Sequence, residues 1–275
     1  MLGGAELVEV SSDGEPGDKG RFVRGVERAL LEGEAEVGVH SAKDVPAELT
    51  EGLMLAAVPA REDPRDAWVG VGGALDDVPE GAKVGTASLR RRAQLLAARP
   101  DLEVSELHGN VDTRLRKLAE GKLDAIVLAV AGLRRLGRQD EIAFAVPEQS
   151  MTPAAGQGSL LLQIRTGDKE ALRTVDPLVD EAALRELTAE RTVVALLQAT
   201  CASPIGVHGR VDAQLDRMRL EAFVGLPDGS EWVRDRIEGD SSEPTALGAE
   251  LAKRLLDTGA RELLARAEGW DSATT

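Results

Sequence analysis

Residues 1–60 alternate between the apolar spacings of strands and of helices. Arg21–Glu32 carries apolar residues at helical spacing, and Gly33 follows at a position where helices commonly end. Three short apolar stretches separated by polar, glycine- or proline-containing segments are typical of strands: Ala5–Val10, Glu36–His40 and Leu53–Val58. The pattern therefore predicts a first α/β unit.

A second α/β unit follows between residues 83 and 136. Its predicted strands are Lys83–Gly85, Leu102–Leu107 and Asp124–Val130, and its predicted helices are Ser88–Ala98, Val111–Glu120 and Ala131–Leu136. The last of these strands is almost continuously apolar, which is typical of a parallel strand covered on both faces. The βαβαβα order predicts a parallel, right-handed, doubly wound sheet.

The C-terminal third has a different pattern. A long helix is followed by three strands and a final helical segment that is interrupted near Gly259, which predicts a small α+β domain with an antiparallel sheet. Its elements are Glu181–Gln198, Val207–Val211, Arg219–Val224, Glu231–Ile237 and Ala246–Ala267. The pattern also breaks at Arg61–Trp68 and at Pro147–Gly158, and we interpret both segments as hinges or crossings between domains.

Composition excludes several classes of function. A net charge of −15 and an aromatic content of 2% argue against a nucleic-acid binder or an anionic-membrane binder. The sequence has no apolar run of transmembrane length and no signal-peptide pattern, and its single cysteine fits a reducing compartment, so we expect a cytoplasmic protein. His40, His108 and His208 lie far apart and share no ligand spacing with Cys201, so we expect no metal site.

Polar and basic residues follow the predicted strands at their carboxyl ends, where open α/β sheets bind ligands. Within the acidic chain, residues 90–138 hold nine Arg and two Lys against six Asp and Glu. The residues at these strand ends are Ser41, Lys43, Asp44, Thr86, Ser88, Arg90, Arg91, Arg92, His108, Asn110, Arg114, Arg134 and Arg135. Together they predict a cleft for a ligand that carries several carboxylates or phosphates. No Walker-type phosphate loop is present.

Each of these motifs has a simpler interpretation when it is taken alone. The Arg-rich segment after Ser88 could be a solvated helix face. Asp44 could be a turn residue ahead of Pro46, although a carboxylate among so many cations also suits a cationic intermediate or N–H donors. The combination of four such strand ends at one rim favours a functional site.

The segment QATCASPIG, Gln198–Gly206, contains the only cysteine of the chain. A lone cysteine is most often an inert buried thiol, and no nearby His or Asn suggests a protease-like pair. Cys201 nevertheless follows a long helix in a predicted loop, and loops on rigid scaffolds often carry function. A nucleophile or a point of covalent attachment therefore remains open.

Seven motifs, in order along nearly the whole chain, closely resemble the porphobilinogen deaminase (hydroxymethylbilane synthase) family. They are KGRFVRGVERALLEGEAEVGVHSAKDVP (Lys19–Pro46), REDPRDA (Arg61–Ala67), VGTASLRRRAQL (Val84–Leu95), GNVDTRLRKL (Gly109–Leu118), DAIVLAVAGLRRLG (Asp124–Gly137), TPAAGQG (Thr152–Gly158) and CASPIG (Cys201–Gly206).

The resemblance implies two doubly wound α/β domains like those of periplasmic binding proteins, and a small C-terminal α+β domain with an antiparallel sheet. The implied bounds are 1–59 with 159–177, 63–152, and 181–275. It also implies a cytoplasmic, monomeric transferase of tetrapyrrole and heme biosynthesis. The enzyme condenses four porphobilinogens head to tail into hydroxymethylbilane, with loss of ammonia, on a dipyrromethane cofactor held through a thioether by Cys201.

The resemblance further assigns roles to individual residues. Asp44 would contact pyrrole N–H groups and stabilise the azafulvene cation that forms as ammonia leaves. Cofactor carboxylates would be held by Ser41, Lys43, Thr86, Ser88, Arg90, Arg91 and Arg114. The substrate or the growing chain would be bound by His108, Arg114 and Arg135. Lys19 and Phe22 would belong to a mobile loop over the cleft and to the helix after it.

The sequence also departs from the family pattern. Members usually open with a strand and helix of RxSxLA type that carry an active-site Arg, and this chain begins after that point, so we expect weak or no activity from it as it stands. His108 stands where the family usually has Arg, and Ala199 and Thr200 replace glycines before Cys201. The alternatives from other classes are a non-catalytic, two-lobed carboxylate-binding module and a truncated, inactive homologue.

Overall fold

The computed structural model describes residue 4, residues 6–10 and residues 20–270. Their elements form three layered units, each built on its own β-sheet. The helices are α1 Gly20–Glu32, α2 Leu89–Ala98, α3 Val111–Ala119, α4 Val130–Arg135, α5 Lys169–Val175, α6 Glu181–Leu196, α7 Pro244–Asp257 and α8 Ala260–Glu268. The strands are β1 Gly38–Ser41, β2 Leu53–Ala57, β3 Asp66–Gly70, β4 Lys83–Gly85, β5 Glu103–Ser105, β6 Ala125–Ala129, β7 Phe144–Ala145, β8 Leu160–Arg165, β9 Ile205–Asp212, β10 Arg217–Gly225 and β11 Trp232–Asp240.

The first sheet has three strands in the order β1-β8-β2, and both pairs are antiparallel. Helix α1 contacts β1, β2 and β8 and buries the apolar side chains of Val23, Ala29 and Leu30. Gly33 has a φ of +76°, which confirms the expected helix end. Strand β8 comes from more than one hundred residues further along the chain, so two distant segments build this unit.

The strand predicted for Ala5–Val10 is wrong over residues 6–10, which have no regular structure; Ala5 lies outside the described residues. Leu7 is 97% exposed and Val8 is 47% exposed. No described strand pairs with this stretch, so its alternating apolar pattern has neither ladder hydrogen bonds nor a core to face.

The second sheet has five strands in the order β5-β4-β6-β3-β7. Strands β4, β5 and β6 are parallel, as the βαβαβα pattern predicted, whereas β3 runs antiparallel to both β6 and β7. Strand β3 begins at Asp66, inside the segment that the sequence had indicated as a hinge. Trp68 on this strand is fully buried and stacks on Phe144 at 5.7 Å between ring centroids.

The third unit is the predicted α+β domain. Strands β9, β10 and β11 form an antiparallel meander, and α6, α7 and α8 cover the face that carries Met218, Leu220 and Ala222. Gly259, with a φ of +95°, separates α7 from α8 and confirms the expected break. The fold class is therefore α/β, with a small C-terminal α+β domain. Within the described ranges, no helix combines the length and apolar composition needed to cross a bilayer.

Candidate active site

The most deeply buried charges of the second sheet are one carboxylate and two guanidinium groups. Asp66, at the start of β3, is 0% exposed. It accepts from Arg90 through both carboxylate oxygens, at 2.7 and 3.0 Å, and from Arg91 Nε at 2.9 Å. Burial alone would raise the pKa of Asp66, but the charges of Arg90 and Arg91 outweigh it and hold that pKa well below its usual range. Two cations against one anion leave a net positive charge here.

The two guanidinium groups are also fixed by backbone carbonyls. Arg90 donates to Thr152 O at 2.8 Å, and Arg91 donates to Val127 O at 2.8 Å. Asp66 and these carbonyls occupy only part of each five-donor group. Arg90 and Arg91 are therefore rigidly placed and still have N–H donors for a ligand carboxylate.

The N-terminus of α2 lies beside this pair. Ser88 caps the helix by accepting from Arg91 N, and Thr86 Oγ1 accepts from Ser88 N at 3.2 Å. Thr86 is buried, whereas Ser88 is half-buried. The first turn of a helix presents free N–H groups and the positive end of the dipole, so this strand end favours an anion.

On the first sheet, β1 ends at Ser41 and runs into a turn that contains Lys43 and Asp44. We call the space between this turn and the Asp66 group, which Gln157 contacts on both sides, the cleft. Lys43 Nζ donates to Gln157 Oε1 at 3.3 Å. Burial, followed by the nearby Arg91 charge, lowers the pKa of Lys43 to about 8. Asp44 is half-buried, and among the described residues its carboxylate has no hydrogen-bond or ion-pair partner. It is thus free to accept N–H groups from a ligand.

Arg114 on α3 belongs to the same group of cations. Burial, and then the Arg91 charge, lowers the pKa of Arg114. Its Nε is buried without a hydrogen-bond partner, and within residues 20–270 it forms no ion pair. Arg114 is half-buried, and a buried N–H without a partner carries a desolvation cost that an anionic ligand would relieve.

Two other candidates lie in different surroundings. His108 is exposed and pairs with the neighbouring Glu106 at 2.9 Å between Nε2 and Oε2. Arg135 is exposed and donates to Gly158 O at 2.6 Å. The structure does not bring these two into contact with the Asp66 group. Phe22 falls within α1, and Lys19 lies outside the described residues, so the mobile-loop assignment stays a prediction.

Cys201 is a free, exposed thiol in the turn between α6 and β9. Thr200 and Ser203 shape this turn, since Thr200 N donates to Ser203 Oγ at 2.9 Å and Ala202 N donates to Thr200 Oγ1 at 3.3 Å. The interpretation of Cys201 as an inert buried thiol is therefore wrong. An accessible thiol in a short turn is placed for covalent attachment.

A second buried charge cluster, which the sequence did not indicate, joins the Arg61 hinge to the C-terminal domain. Arg61 donates to Glu190 at 2.7 Å and to Glu186 at 3.3 Å, and Glu190 also accepts from Gly156 N and Gly209 N at 2.6 and 2.7 Å. Burial alone would raise the pKa of Glu190, but the Arg61 and His208 groups lower it to about 2.

His208 lies between two carboxylates of this cluster. Its ring nitrogens are each 3.5 Å from a carboxylate oxygen, Nδ1 from Glu190 and Nε2 from Glu148. Burial opposes protonation, but these two carboxylates outweigh it and raise the pKa of His208. Glu190 lies on α6 three residues from both Leu187 and Val193, which are buried as it is. This position of a carboxylate among apolar residues at helical spacing is a weak signal, from which the cluster could not be predicted.

Among the described residues, no three His, Cys, Asp or Glu side chains are grouped so as to hold a metal ion. The titratable groups at the cleft are instead cations around two carboxylates, Asp44 and Asp66. This arrangement suits an organic polyanion.

Comparison with known proteins agrees with this geometry. Residues 9–173 match the family model of the porphobilinogen deaminase dipyrromethane cofactor-binding domain, and residues 184–257 match the porphobilinogen deaminase C-terminal domain. The chain is 47% identical over 255 residues to a porphobilinogen deaminase of Campylobacter concisus, covering 92% of this chain and 82% of that protein. It is 49% identical over 262 residues to that of Thiobacillus denitrificans, with 95% and 85% covered.

Solved structures also match part of the chain. The substrate-binding protein of an amino-acid ABC transporter has a TM-score of 0.33 at 15% identity, over 61% of this chain and 71% of that one. The probable amino-acid ABC transporter extracellular-binding protein YtmK of Bacillus subtilis has a TM-score of 0.37 at 12% identity, over 60% and 69%.

Proposed function

Because this chain belongs to the porphobilinogen deaminase family, we propose that it condenses four porphobilinogens head to tail into hydroxymethylbilane, with loss of ammonia at each step. This is a transferase reaction of tetrapyrrole and heme biosynthesis. The matched domain is the one that binds the dipyrromethane cofactor in this family.

The residues at the cleft fit a dipyrromethane. Such a group carries acidic side chains on both rings, and the cleft offers the net positive charge of the Asp66 group together with the unpartnered Nε of Arg114. The exposed thiol of Cys201 is free to form the thioether. When it is bound, the dipyrromethane supplies the pyrrole end to which the first substrate is joined. Nothing in the described residues favours a non-catalytic carboxylate-binding module.

The proposed cofactor ligands are the cations and hydroxyl groups on the two sides of the cleft. Arg90 and Arg91 can each offer N–H donors that Asp66 does not occupy, and Arg114 can offer an Nε–H that has no partner among the described residues. Lys43 provides a point charge from the opposite side. Ser41, Thr86 and Ser88 provide hydroxyl groups, the last two at the N-terminus of α2.

Asp44 is the proposed catalytic residue. Its carboxylate is free of protein partners among the described residues and lies beside Lys43. It can accept the pyrrole N–H of the incoming porphobilinogen and stabilise the positive charge that develops on that ring as ammonia leaves. A preorganised carboxylate needs no rearrangement at that moment, so its effect falls on the transition state.

Several further assignments belong to the proposal. His108 and Arg135 contact the substrate or the growing chain, and Lys19 and Phe22 belong to a mobile segment over the cleft. The domain bounds are 1–59 with 159–177, 63–152, and 181–275. The protein is a cytoplasmic monomer without nucleic-acid or membrane partners. The single free cysteine supports the cytoplasmic location, and the net charge of −15 supports the absence of nucleic-acid and anionic-membrane partners.

The observation that carries the proposal is the Asp44 carboxylate, which has no partner among the described residues and directly follows Lys43, a residue close enough to Arg90 and Arg91 for their charges to lower its pKa. The test is to incubate the purified protein with porphobilinogen and to follow substrate loss, ammonia release and hydroxymethylbilane formation. We expect one ammonia per porphobilinogen consumed, and a loss of about 10²–10³ in kcat for Asp44→Asn with the fold retained. If the wild type is active and Asp44→Asn has the same kcat, the catalytic carboxylate lies elsewhere. No substrate loss by the wild type would contradict the activity of this chain.

A further inference from the structure

Gln157 lies in the segment that crosses between the sheets and is only 1% exposed. Its side-chain amide joins both sides of the cleft. Oε1 accepts from Lys43 Nζ at 3.3 Å, while Nε2 donates to Asp66 Oδ1 at 3.0 Å and to Pro64 O at 2.7 Å. Its backbone carbonyl accepts from Arg61 Nε at 3.0 Å. One residue thus contacts the Lys43 turn, the hinge and the buried carboxylate of the arginine pair.

Two glycines bring the backbone of Gln157 into this position. Gly156 has a φ of +72°, and an added Cβ would lie 2.9 Å from Ala42 Cβ and 3.0 Å from Lys43 N. Gly158 has a φ of +92°, and an added Cβ would lie 2.3 Å from Glu62 O. The turn is therefore wedged between the Lys43 segment and the hinge, closer than other residue types allow.

The amide chemistry matches the two groups that it joins. Lys43 is a donor without acceptor capacity, and an ionised Asp66 is an acceptor only. A group between them must accept on one side and donate on the other, which a primary amide does without a charge of its own. A carboxylate at this position would face Asp66 with no donor, and a cation would face Lys43 with no acceptor.

We propose that Gln157 is a positioning residue that sets the spacing between Lys43 and the Arg90–Arg91 pair across the cleft. Lys43 and Arg91 repel each other, so without a bridge these two cations would move apart. The amide holds them at a fixed separation through Asp66, before a ligand is present. The inference rests on the proposed function, since carboxylates of the cofactor or growing chain are what this spacing would serve.

The kinetic test compares Gln157→Met, which keeps the length of the side chain and removes the amide, with Gln149→Met. Gln149 lies in the same crossing segment and is exposed. Its backbone carbonyl accepts from Arg234, and its side chain makes no hydrogen bond to the residues that the structure describes. We expect kcat to fall by about tenfold or more in Gln157→Met, because small displacements of binding groups are costly in catalysis, and to stay within about twofold in the control. Equal kcat values in the two folded variants would overturn the proposal.

The second test reads the Lys43 contact directly, by ¹⁵N NMR titration of the side-chain nitrogens of the seven lysines. The charged groups around Lys43 are Arg91, Asp44, Asp66 and Arg90. Loss of the acceptor in Gln157→Met should lower the pKa of Lys43, whereas the added anion in Gln157→Glu should raise it, and kcat should fall in both.

The two variants keep the proposal testable if one of them fails to fold, because the other still gives both a direction for the Lys43 pKa and a value for kcat. An unchanged Lys43 pKa, or a shifted pKa with wild-type kcat, would refute a positioning role. The titration requires no turnover. A wild type that fails to consume porphobilinogen would therefore contradict the proposed function while the Lys43 shift still reports on the bridge.

Discussion

Removing the charge of Asp66 should destabilise the protein more than any other single change at the cleft. In Asp66→Asn the side chain keeps its shape, but the Arg90 and Arg91 guanidinium groups lose their counter-ion while they remain 4% and 6% exposed. The contacts of Asp66 with the two terminal nitrogens of Arg90, at 2.7 and 3.0 Å, and with one terminal nitrogen of Arg91, at 2.8 Å, lose their ionic component. Breaking a buried pair by removing one partner costs about 3–5 kcal/mol, because the remaining charge is buried without compensation.

The assay is urea unfolding at pH 7, followed by circular dichroism, with Glu120→Gln as the matched control. Glu120 pairs with Arg116 at 2.9 Å on an exposed helix face, and such pairs are worth about 0.3–0.5 kcal/mol. The expected loss for Asp66→Asn is about tenfold larger than that of the control. If Asp66→Asn and Glu120→Gln lower the urea midpoint equally, the buried Asp66 carboxylate does not stabilise the Arg90 and Arg91 charges as argued.

The difference in unfolding free energy between wild type and Asp66→Asn should depend on pH in a defined direction. The pKa of Asp66 is depressed in the folded state, so its stabilisation is fully present above the unfolded pKa of about 4 and is lost as the pH falls through the folded pKa. The difference between wild type and Asp66→Asn should therefore stay constant from pH 7 to pH 5. A difference that disappears by pH 5 would show that the pKa of Asp66 is raised rather than depressed in the folded state, because a carboxyl of ordinary pKa is still ionised at pH 5.

Three further changes test other parts of the structure. Because the pKa of His208 is raised, the stability that its protonated ring contributes is fully present below pH 6.5 and is lost as the pH rises through the folded pKa. His208→Gln should therefore lower Tm more at pH 5.5 than at pH 8.5. An equal loss of Tm at the two pH values would contradict the contact with Glu190. Arg114→Gln should lower the cofactor content, measured by intact mass, and should raise Tm of the cofactor-free protein because a buried donor without a partner is removed. An unchanged cofactor content would show that Arg114 is not part of the site. Gly158→Ala should lower the free energy of unfolding, measured with urea, by about 1–3 kcal/mol, because the added Cβ would clash with Glu62 O. An unchanged free energy of unfolding would show that the turn can relax.

Elements with strong local signals could be predicted from the sequence. The α2 start at Ser88, the end of α1 before Gly33 and the break at Gly259 each depend on a residue that acts on its nearest neighbours. The candidate anion-binding residues after β1 and β4 could be found for the same reason, because strand ends are visible in the apolar pattern.

Long-range partners could not be predicted in this way. Asp66 lies within a run of charged residues that indicated a hinge, yet it begins a buried strand because two guanidinium groups from α2 neutralise it. Gln157 is a polar residue between two glycines, which is also the pattern of an exposed turn. Periodicity compares residues a few positions apart, whereas Gln157 and Lys43 are 114 residues apart.

The intact mass of the protein after incubation with porphobilinogen tests the central claim most directly. Wild type should gain a covalent dipyrromethane, and short incubations should show further additions, each equal to one porphobilinogen less one ammonia. Cys201→Ala should show neither, although it folds, because the exposed thiol makes no contact that the fold depends on. An unmodified wild-type chain, or an adduct that persists in Cys201→Ala, would contradict the assignment of this site.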